Sequence, residues 1–237
     1  EYVVGQATQG LANQLIKTNG KDADLSVVIA YDSRHKSDVF AKEAAQILAA
    51  NGIKVYLFEE LKPVPELSFS IRYLKTTAGI AVTASHNPAK YNGYKAYGSD
   101  GAQLNPELAT IVLDEIGKTD IFTGVKKMDF EQAIDQGMIV MIGDEVEEAY
   151  LDEVQKQCVN PELAKEKGDT LKFVYTPFHG AGNKPVRKIL KRIGFNNVVV
   201  VKEQELPDGD FPTVESPNPE NKEGFKLAIG YAKECGA

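Results

Sequence analysis

Short apolar strands that alternate with helical segments constrain the fold of this chain more than any other feature. Residues 26–31 (SVVIAY), 54–58 (KVYLF) and 78–83 (AGIAVT) are apolar runs of strand length. Between them lie segments whose apolar residues recur at helical spacing. Strands and helices that alternate in this way build layered domains in which helices cover a sheet. The sequence therefore predicts an α/β fold.

A polar stretch over residues 160–169, which contains a proline and a glycine, indicates a domain boundary. We predict one α/β domain over residues 1–165 and part of a second over residues 166–237. The last predicted helix, over residues 219–235, is not followed by the strand that a βα unit needs, so the second domain looks truncated. The chain starts at Glu1 rather than at a methionine, which suggests a piece of a longer protein.

The composition excludes several classes of function. With 43% hydrophobic and 26% charged residues and no apolar run near the ~20 residues of a membrane span, the chain reads as a soluble protein without a membrane partner. A net charge of −7 argues against nucleic-acid binding, which needs a basic surface. A local cationic cluster can still bind a phosphate. Cys158 and Cys235 form no CxxC pair, so we expect reduced thiols and a cytoplasmic location.

The residues with the clearest chemistry follow the strand at 78–83. Ser85 and His86 precede an Asn-Pro turn pair, and Lys95 lies ten residues after the serine. A serine hydroxyl is a poor nucleophile unless a base or a preformed phosphoryl group activates it. A phosphoserine carries about −1.5 to −2 charges at neutral pH, so cations, a metal or N–H donors must hold it. The alternative is a serine that only caps a turn.

Two other segments carry groups suited to phosphate. The turn Asp32-Ser33-Arg34 follows the strand at 26–31, and the planar guanidinium of an arginine can bond two phosphate oxygens at once. A polar turn that ends in a helix cap at Ser37 is the alternative. Residues 176–182 (TPFHGAG) form a glycine-rich turn before a helix, which can bind an anion through its N–H groups or simply start the helix.

Residues 83–95 (TASHNPAKYNGYK) resemble the phosphoserine loop of the α-D-phosphohexomutases, the phosphoglucomutase/phosphomannomutase family. The turn at 32–34, the segment 176–182 and residues 209–220 (GDFPTVESPNPE) resemble further motifs of that family, so the resemblance covers nearly the whole chain. It implies a three-layer α/β/α domain with a mixed sheet and part of a second, similar domain. Residues 85–95, with residues 100–104 (DGAQL), are most similar to the branch that acts on glucose and pentose phosphates.

The resemblance also implies an activity and roles for residues. Members of the family are intramolecular phosphotransferases that move a phosphoryl group between C1 and C6 of glucose, or between C1 and C5 of a pentose, through a phosphoserine and a sugar bisphosphate. Ser85 would carry the phosphoryl group. His86 would donate a hydrogen bond or act as a local acid, and Lys95 would be a general acid/base. Arg34 would contact the phosphoserine region. Two loop-shaping residues would line the substrate site, namely Asn87 and Asn92.

By the same resemblance, the cofactors are Mg²⁺ and glucose 1,6-bisphosphate, and the partner is a small-molecule sugar phosphate. The ion would bind the phosphate on Ser85 and the aspartates of a D-x-D-x-D-R loop. Asp208 and Asp210 are followed by Phe211 and a proline instead, so we assign no metal to them and expect the carboxylate ligands beyond Ala237. Residues 1–237 alone should therefore be inactive. The preferred sugar and the oligomeric state stay open, and phosphomannomutase activity is an alternative.

Two functions of other classes compete with this interpretation. A serine hydrolase that uses Ser85 and His86 would need a G-x-S-x-G turn and an acidic partner, and neither is evident. Adjacent side chains on an extended chain also point apart. A non-catalytic α/β interaction module would leave the arrangement of Ser85, Lys95 and Arg34 as a coincidence.

Overall fold

The computed structural model describes all residues, Glu1–Ala237, and they form two compact units. The first unit consists of residues 1–31, 36–83 and 93–143. The second consists of residues 144–237 together with two short segments, 32–35 and 84–92. Those two segments contain Arg34 and Ser85, so the contacts around both residues belong to the second unit.

A five-stranded mixed sheet forms the centre of the first unit. Its strands are β1 (Ser26–Tyr31), β2 (Lys54–Phe58), β3 (Ala78–Val82), β4 (Tyr94–Gly98) and β5 (Ile139–Ile142). The order is β4-β3-β1-β2-β5, with β4 antiparallel to β3 and all other pairs parallel. The carboxyl ends of β1 and β3 lie at one edge of the sheet because the two strands run parallel. The segments 32–35 and 84–92 start at this edge, where ligand-binding loops of α/β sheets are usually found.

Helices cover both faces of this sheet. They are α1 (Tyr2–Asn19), α2 (Ser37–Ala50), α3 (Val64–Tyr73), α4 (Pro106–Gly117) and α5 (Phe130–Asp135). On one face α2 packs against the strands, with α1 and α5 beside it and α4 against α1. Strand residues alternate between the two faces. Val27 and Ile29 of β1 join the core formed with α1 and α2, and Val28 and Ala30 are buried on the opposite face.

Helix α3 covers the opposite face over β1 and β3. Leu67 and Ile71 are its fully buried apolar residues. At Gly79 of β3 the helix comes so close that a Cβ atom there would lie 2.3 Å from Cδ1 of Ile71. A helix layer on each side of a mixed sheet is the α/β/α arrangement that the family resemblance implies, and the prediction is confirmed.

The second unit contains a pair of parallel strands, β6 (Lys172–Tyr175) and β7 (Asn197–Val200). Its helices are α6 (Asp144–Lys156), α7 (Pro161–Lys167), α8 (Asn183–Arg192) and α9 (Lys226–Cys235), with single 3₁₀ turns at Lys202–Gln204 and Lys222–Phe225. Helix α6 packs on α8. The pairs Lys188–Glu147 and Arg192–Asp152 join the two helices, the latter at 2.6 Å. No helix of the chain combines the length and the apolar character that crossing a bilayer requires.

Helix α6 belongs to the second unit because it packs on α8, so the compact units divide after Gly143. This is earlier in the chain than the domain boundary predicted between residues 165 and 166. The stretch 160–169, where the domain boundary was predicted, contains α7. The side chain of Asn160 caps that helix by accepting from the Leu163 N–H at 3.0 Å.

Other local differences have similarly simple causes. Neither β5, which has only four residues, nor the one-and-a-half-turn helix α5 was predicted. Helix α9 begins at Lys226 and not at 219, because prolines and a 3₁₀ turn occupy the preceding segment. The cap predicted at Ser37 is wrong: Lys36, in the left-handed conformation with φ 63°, is the N-cap of α2, and Ser37 is already its first helical residue.

Candidate active site

Ser85 lies in an exposed turn formed by residues 84–92, which we call the serine loop. The Asn87 N–H donates to the Ala84 carbonyl at 3.1 Å, and the Tyr91 N–H donates to the Pro88 carbonyl at 3.1 Å. Ser85 has φ 57°, a left-handed conformation that costs a non-glycine residue free energy. Strain of this kind persists only where the surroundings enforce it, and it is concentrated at functional sites.

The side chain of Arg34 holds the serine loop in this conformation. Its side chain is buried, with 3% of the residue exposed, and its guanidinium donates four hydrogen bonds to carbonyl oxygens of the serine loop. Nη1 donates to Pro88 at 3.0 Å and Tyr91 at 2.9 Å. Nη2 donates to Ser85 at 2.9 Å and Asn87 at 2.5 Å. The whole loop is therefore wrapped around one cation.

The fifth N–H of Arg34 faces Asp32, whose Oδ2 lies 3.2 Å from Nε. Burial lowers the pKa of the Arg34 guanidinium, and the Asp32 carboxylate opposes that shift by favouring the charged form. An arginine stays protonated under either influence. With four hydrogen bonds to carbonyl oxygens and an ion pair to Asp32, Arg34 orders the backbone of the serine loop, and its fork is directed at the loop and not at open space.

Four contacts link the turn at 32–35 and the serine loop to residues 208–216, which we call the 208–216 loop. The Phe211 ring lies over the Arg34 guanidinium, 5.2 Å from centroid to Cζ. His35 Nε2 lies 2.7 Å from Asp210 Oδ1. The Ser216 hydroxyl donates to the His86 carbonyl at 2.7 Å. The fourth contact is steric, since a Cβ atom on Gly209 would lie 2.8 Å from the His35 backbone nitrogen.

Of the other predicted site residues, His86, Asn87 and Asn92 belong to the serine loop, and Lys95 lies outside it. His86 is exposed, and its Nδ1 lies 3.4 Å from Ser85 Oγ. The Asn92 side chain donates to the His35 carbonyl at 3.1 Å, a contact that shapes the loop. Asn87 is exposed, and its carbonyl accepts from Arg34. Lys95 belongs to the first unit, where it pairs with Ala81 across β3 and β4, so it is not among the residues that the second unit gathers.

The turn at residues 176–182 is held by a buried polar network. His179, 3% exposed, has Nδ1 3.1 Å from the Leu206 carbonyl and Nε2 2.9 Å from Thr213 Oγ1. Gln204 donates to Thr213 Oγ1 at 3.0 Å and accepts from the Thr176 hydroxyl at 2.6 Å. Both ring nitrogens of His179 have protein partners, so this turn fixes the segment 204–213.

The acidic residues of the 208–216 loop also have protein partners. Asp208 Oδ1 accepts from the Asp210 N–H at 2.9 Å, and Asp210 Oδ1 faces His35. Nowhere in the chain do three or more His, Cys, Asp or Glu side chains come together as a metal site.

The family is decided by comparison with known proteins. Residues 1–121 match the model of the phosphoglucomutase/phosphomannomutase alpha/beta/alpha domain I. The chain belongs to the phosphoglucomutase/phosphomannomutase family. Residues 148–237 match domain II of the same family, which agrees with the serine-loop resemblance.

Curated relatives carry both names of the family. A probable phosphomannomutase of Haemophilus influenzae is 39% identical over 242 residues, which cover 99% of this chain and 46% of that protein. A phosphoglucomutase of Staphylococcus haemolyticus is 39% identical over 236 residues, which cover all of this chain and 41% of that protein. The chain thus spans less than half the length of these relatives.

Solved structures share the fold. A crystal structure from Thermus thermophilus has a TM-score of 0.79 at 24% identity and covers 98% of this chain and 48% of that one. A phosphoglucomutase/phosphomannomutase family protein from Burkholderia thailandensis has a TM-score of 0.69 at 21% identity and covers all of this chain and 46% of that one.

Sequence reasoning missed Asp210, Phe211 and Ser216 as residues near the serine. They lie inside the GDFPTVESPNPE segment that supported the family resemblance, and that segment was the available signal.

Proposed function

We propose that this chain is the phosphoserine-bearing part of a phosphosugar mutase, in which Ser85 carries the phosphoryl group. The observation that carries the proposal is the strained, exposed Ser85 in a loop whose backbone is wrapped around buried Arg34. A serine held in this way is presented at a fixed position, and positioning supplies much of the catalysis in phosphoryl transfer. Because the chain spans less than half of its relatives, we assign the activity to the longer protein that contains it, here called the parent protein.

The proposed reaction has two transfers. In the first, the bond between phosphorus and Ser85 Oγ breaks while a hydroxyl oxygen of the sugar phosphate bonds to the same phosphorus. The hydroxyl proton goes to a base, and Oγ takes up a proton. In the second, the other phosphoryl group of the bisphosphate returns to Ser85, with the proton transfers reversed. Atoms and charges then balance over the cycle.

We assign the proton transfers to two residues. Lys95 is the proposed general acid/base. His86 is proposed to share a hydrogen bond with Ser85 Oγ, and the 3.4 Å distance between its Nδ1 and that atom supports this role. Asn87 and Asn92 are proposed to border the sugar site. The Asn87 carbonyl accepts from Arg34 and the Asn92 side chain donates to the His35 carbonyl, and these contacts would keep the two residues in place.

The proposed substrates are glucose 1-phosphate and 6-phosphate or the corresponding pentose phosphates. Mannose phosphates are the second candidate, because one relative is named as a probable phosphomannomutase. We further propose glucose 1,6-bisphosphate as the phosphoryl donor that primes Ser85. The proposed Mg²⁺ would bind the phosphate on Ser85 with carboxylates from outside residues 1–237. We also propose that the parent protein is cytoplasmic and has no nucleic-acid or membrane partner.

The test is a coupled mutase assay on the parent protein with Mg²⁺ and a trace of glucose 1,6-bisphosphate. Glucose 1-phosphate, mannose 1-phosphate and ribose 1-phosphate are compared, and the ratio of rates names the substrate. Ser85→Ala should abolish turnover of all three. Ser99→Ala, which changes an exposed serine of the first unit, is the matched control and should keep the wild-type rate. Turnover that survives in Ser85→Ala would refute the phosphoserine.

A further inference from the structure

We infer that the 208–216 loop is a positioning element for Ser85, and this inference rests on the proposed function. Its residues act on the serine loop through Arg34 and His86, not through the substrate. The 208–216 loop, the serine loop and residues 32–35 all belong to the second unit.

The first step concerns the face of the Arg34 guanidinium. Along the edge of that planar group, Nη1 and Nη2 donate four hydrogen bonds to carbonyl oxygens, and Nε forms an ion pair with Asp32. Hydrogen bonds in the plane leave the two faces of the group open to tilting. Phe211 covers one face at 5.2 Å, where an aromatic ring attracts a cation. The ring therefore holds the orientation in which all four carbonyl bonds can form.

The 208–216 loop makes two further contacts, through residues that lie before and after Phe211 in the sequence. Asp210 faces His35, the residue next to Arg34, at 2.7 Å. Ser216 donates to the carbonyl of His86, the residue next to Ser85, at 2.7 Å. The 208–216 loop thus contacts His35, the residue after Arg34, and His86, the residue after Ser85. Gly209 permits the approach, since any side chain there would collide with the His35 backbone.

Hydrogen bonds to two buried side chains hold the 208–216 loop in place. Thr213, in the middle of the loop, is bonded to both His179 and Gln204, and these two side chains are buried. A positioning element must be more rigid than the group it positions, and buried, satisfied hydrogen bonds give that rigidity. This also accounts for His179, whose ring nitrogens both serve the network.

The consequence for the reaction follows from geometry. A phosphoryl group on Ser85 adds about −1.5 to −2 charges to the loop, and the loop must keep its shape during both transfers. A displacement of the reacting atom by about 1 Å can cost on the order of 100-fold in rate. The 208–216 loop is not proposed to touch the sugar, so weakening it should lower kcat and leave the KM for the sugar phosphate unchanged.

The experiment compares four variants of the parent protein. Phe211→Leu removes the ring over Arg34, and Ser216→Ala removes the hydroxyl that bonds His86. Phe211→Tyr keeps an aromatic face. Phe195→Leu is the matched control, because it removes an aromatic partner of Phe173 in the same unit without any contact to Arg34. Steady-state kinetics gives kcat and KM, and hydrogen exchange reports the Asn87 and Tyr91 amides of the serine loop.

We expect Phe211→Leu and Ser216→Ala each to lower kcat by about tenfold at constant KM and to speed exchange of both loop amides, while Phe211→Tyr and Phe195→Leu stay near wild type. Unchanged kcat and exchange would overturn the inference. A rise in KM equal to the fall in kcat/KM would overturn it in favour of direct substrate contact. Faster exchange throughout β6 and β7 would overturn it in favour of general destabilisation. If the wild-type protein shows no turnover, the proposed function fails, and the exchange results alone then decide whether the loop orders residues 84–92.

Discussion

Arg34→Lys should loosen the serine loop far more than a conservative change of charge would suggest. A lysine keeps the positive charge but offers three donors on one nitrogen, where the guanidinium offers five on a planar fork. If one lysine donor faces Asp32, at most two remain for the four carbonyl oxygens that Arg34 now serves. At least two hydrogen bonds from a charged group are therefore lost.

The magnitude follows from that count. A hydrogen bond to a charged group contributes about 1.5–3 kcal/mol, so two of them give ~3–6 kcal/mol. The loop is exposed, and water can satisfy the released carbonyls, which reduces the loss to about 2–4 kcal/mol. Since each 1.4 kcal/mol is about tenfold in an equilibrium constant, local opening should become roughly 30- to 700-fold more frequent. The rate of an unprotected amide sets the upper limit.

Hydrogen exchange of the Asn87 and Tyr91 amides is the direct assay, because both amides close turns inside the serine loop. Arg72→Lys is the matched control. It changes an exposed arginine of α3 that donates to Ser68 and to the Asp100 carbonyl, and exchange in the serine loop should not respond. Exchange of both amides within about threefold of wild type in Arg34→Lys would refute the claim that the guanidinium orders the loop.

Three further outcomes follow from the structure. Ser85→Gly should abolish turnover yet stabilise the second unit by up to about 1 kcal/mol in chemical unfolding, because glycine adopts φ 57° without strain; Ser99→Gly, outside the left-handed region, should not stabilise. Burial raises the pKa of the Tyr175 phenol to about 12 from 10.0. Its folded pKa lies above its unfolded pKa, so this contribution to stability is complete below pH 10.0 and is lost as the pH rises through about 12; Tyr175→Phe should flatten that alkaline loss in circular dichroism, and an unchanged loss would exclude Tyr175 as its source. Residues 1–237 alone should fold but show no mutase turnover in the coupled assay, and measurable turnover would refute the need for further ligands.

Much of the fold was predictable because the central strands are continuous apolar runs. Strand β1, for example, is buried on both faces, and its sequence SVVIAY allows little else. The elements that were missed give weaker signals. Helix α7 is polar and depends on the Asn160 cap, and β5 (IVMI) is an apolar run of only four residues that pairs with β2.

The sequence likewise predicts some features of the candidate site and not others. Ser85 could be predicted because its motif is local and ordered along the chain. The role of Arg34 could not be predicted, because the sequence does not show whether a guanidinium bonds phosphate oxygens or backbone carbonyls. Phe211 was visible as part of a motif, but its position over Arg34 depends on the buried hydrogen bonds of Thr213 far from the serine in sequence.

The most direct test of the central claim is to follow one labelled phosphoryl group on the parent protein. The protein is incubated with glucose 1,6-bisphosphate that carries labelled phosphate, and peptide mass spectrometry locates the label before and after addition of unlabelled glucose 1-phosphate. Our account predicts label on Ser85 that leaves with the sugar as bisphosphate, and no label on Ser85→Ala. Label on a different residue, or label on Ser85 that stays when the sugar phosphate is added, would contradict it.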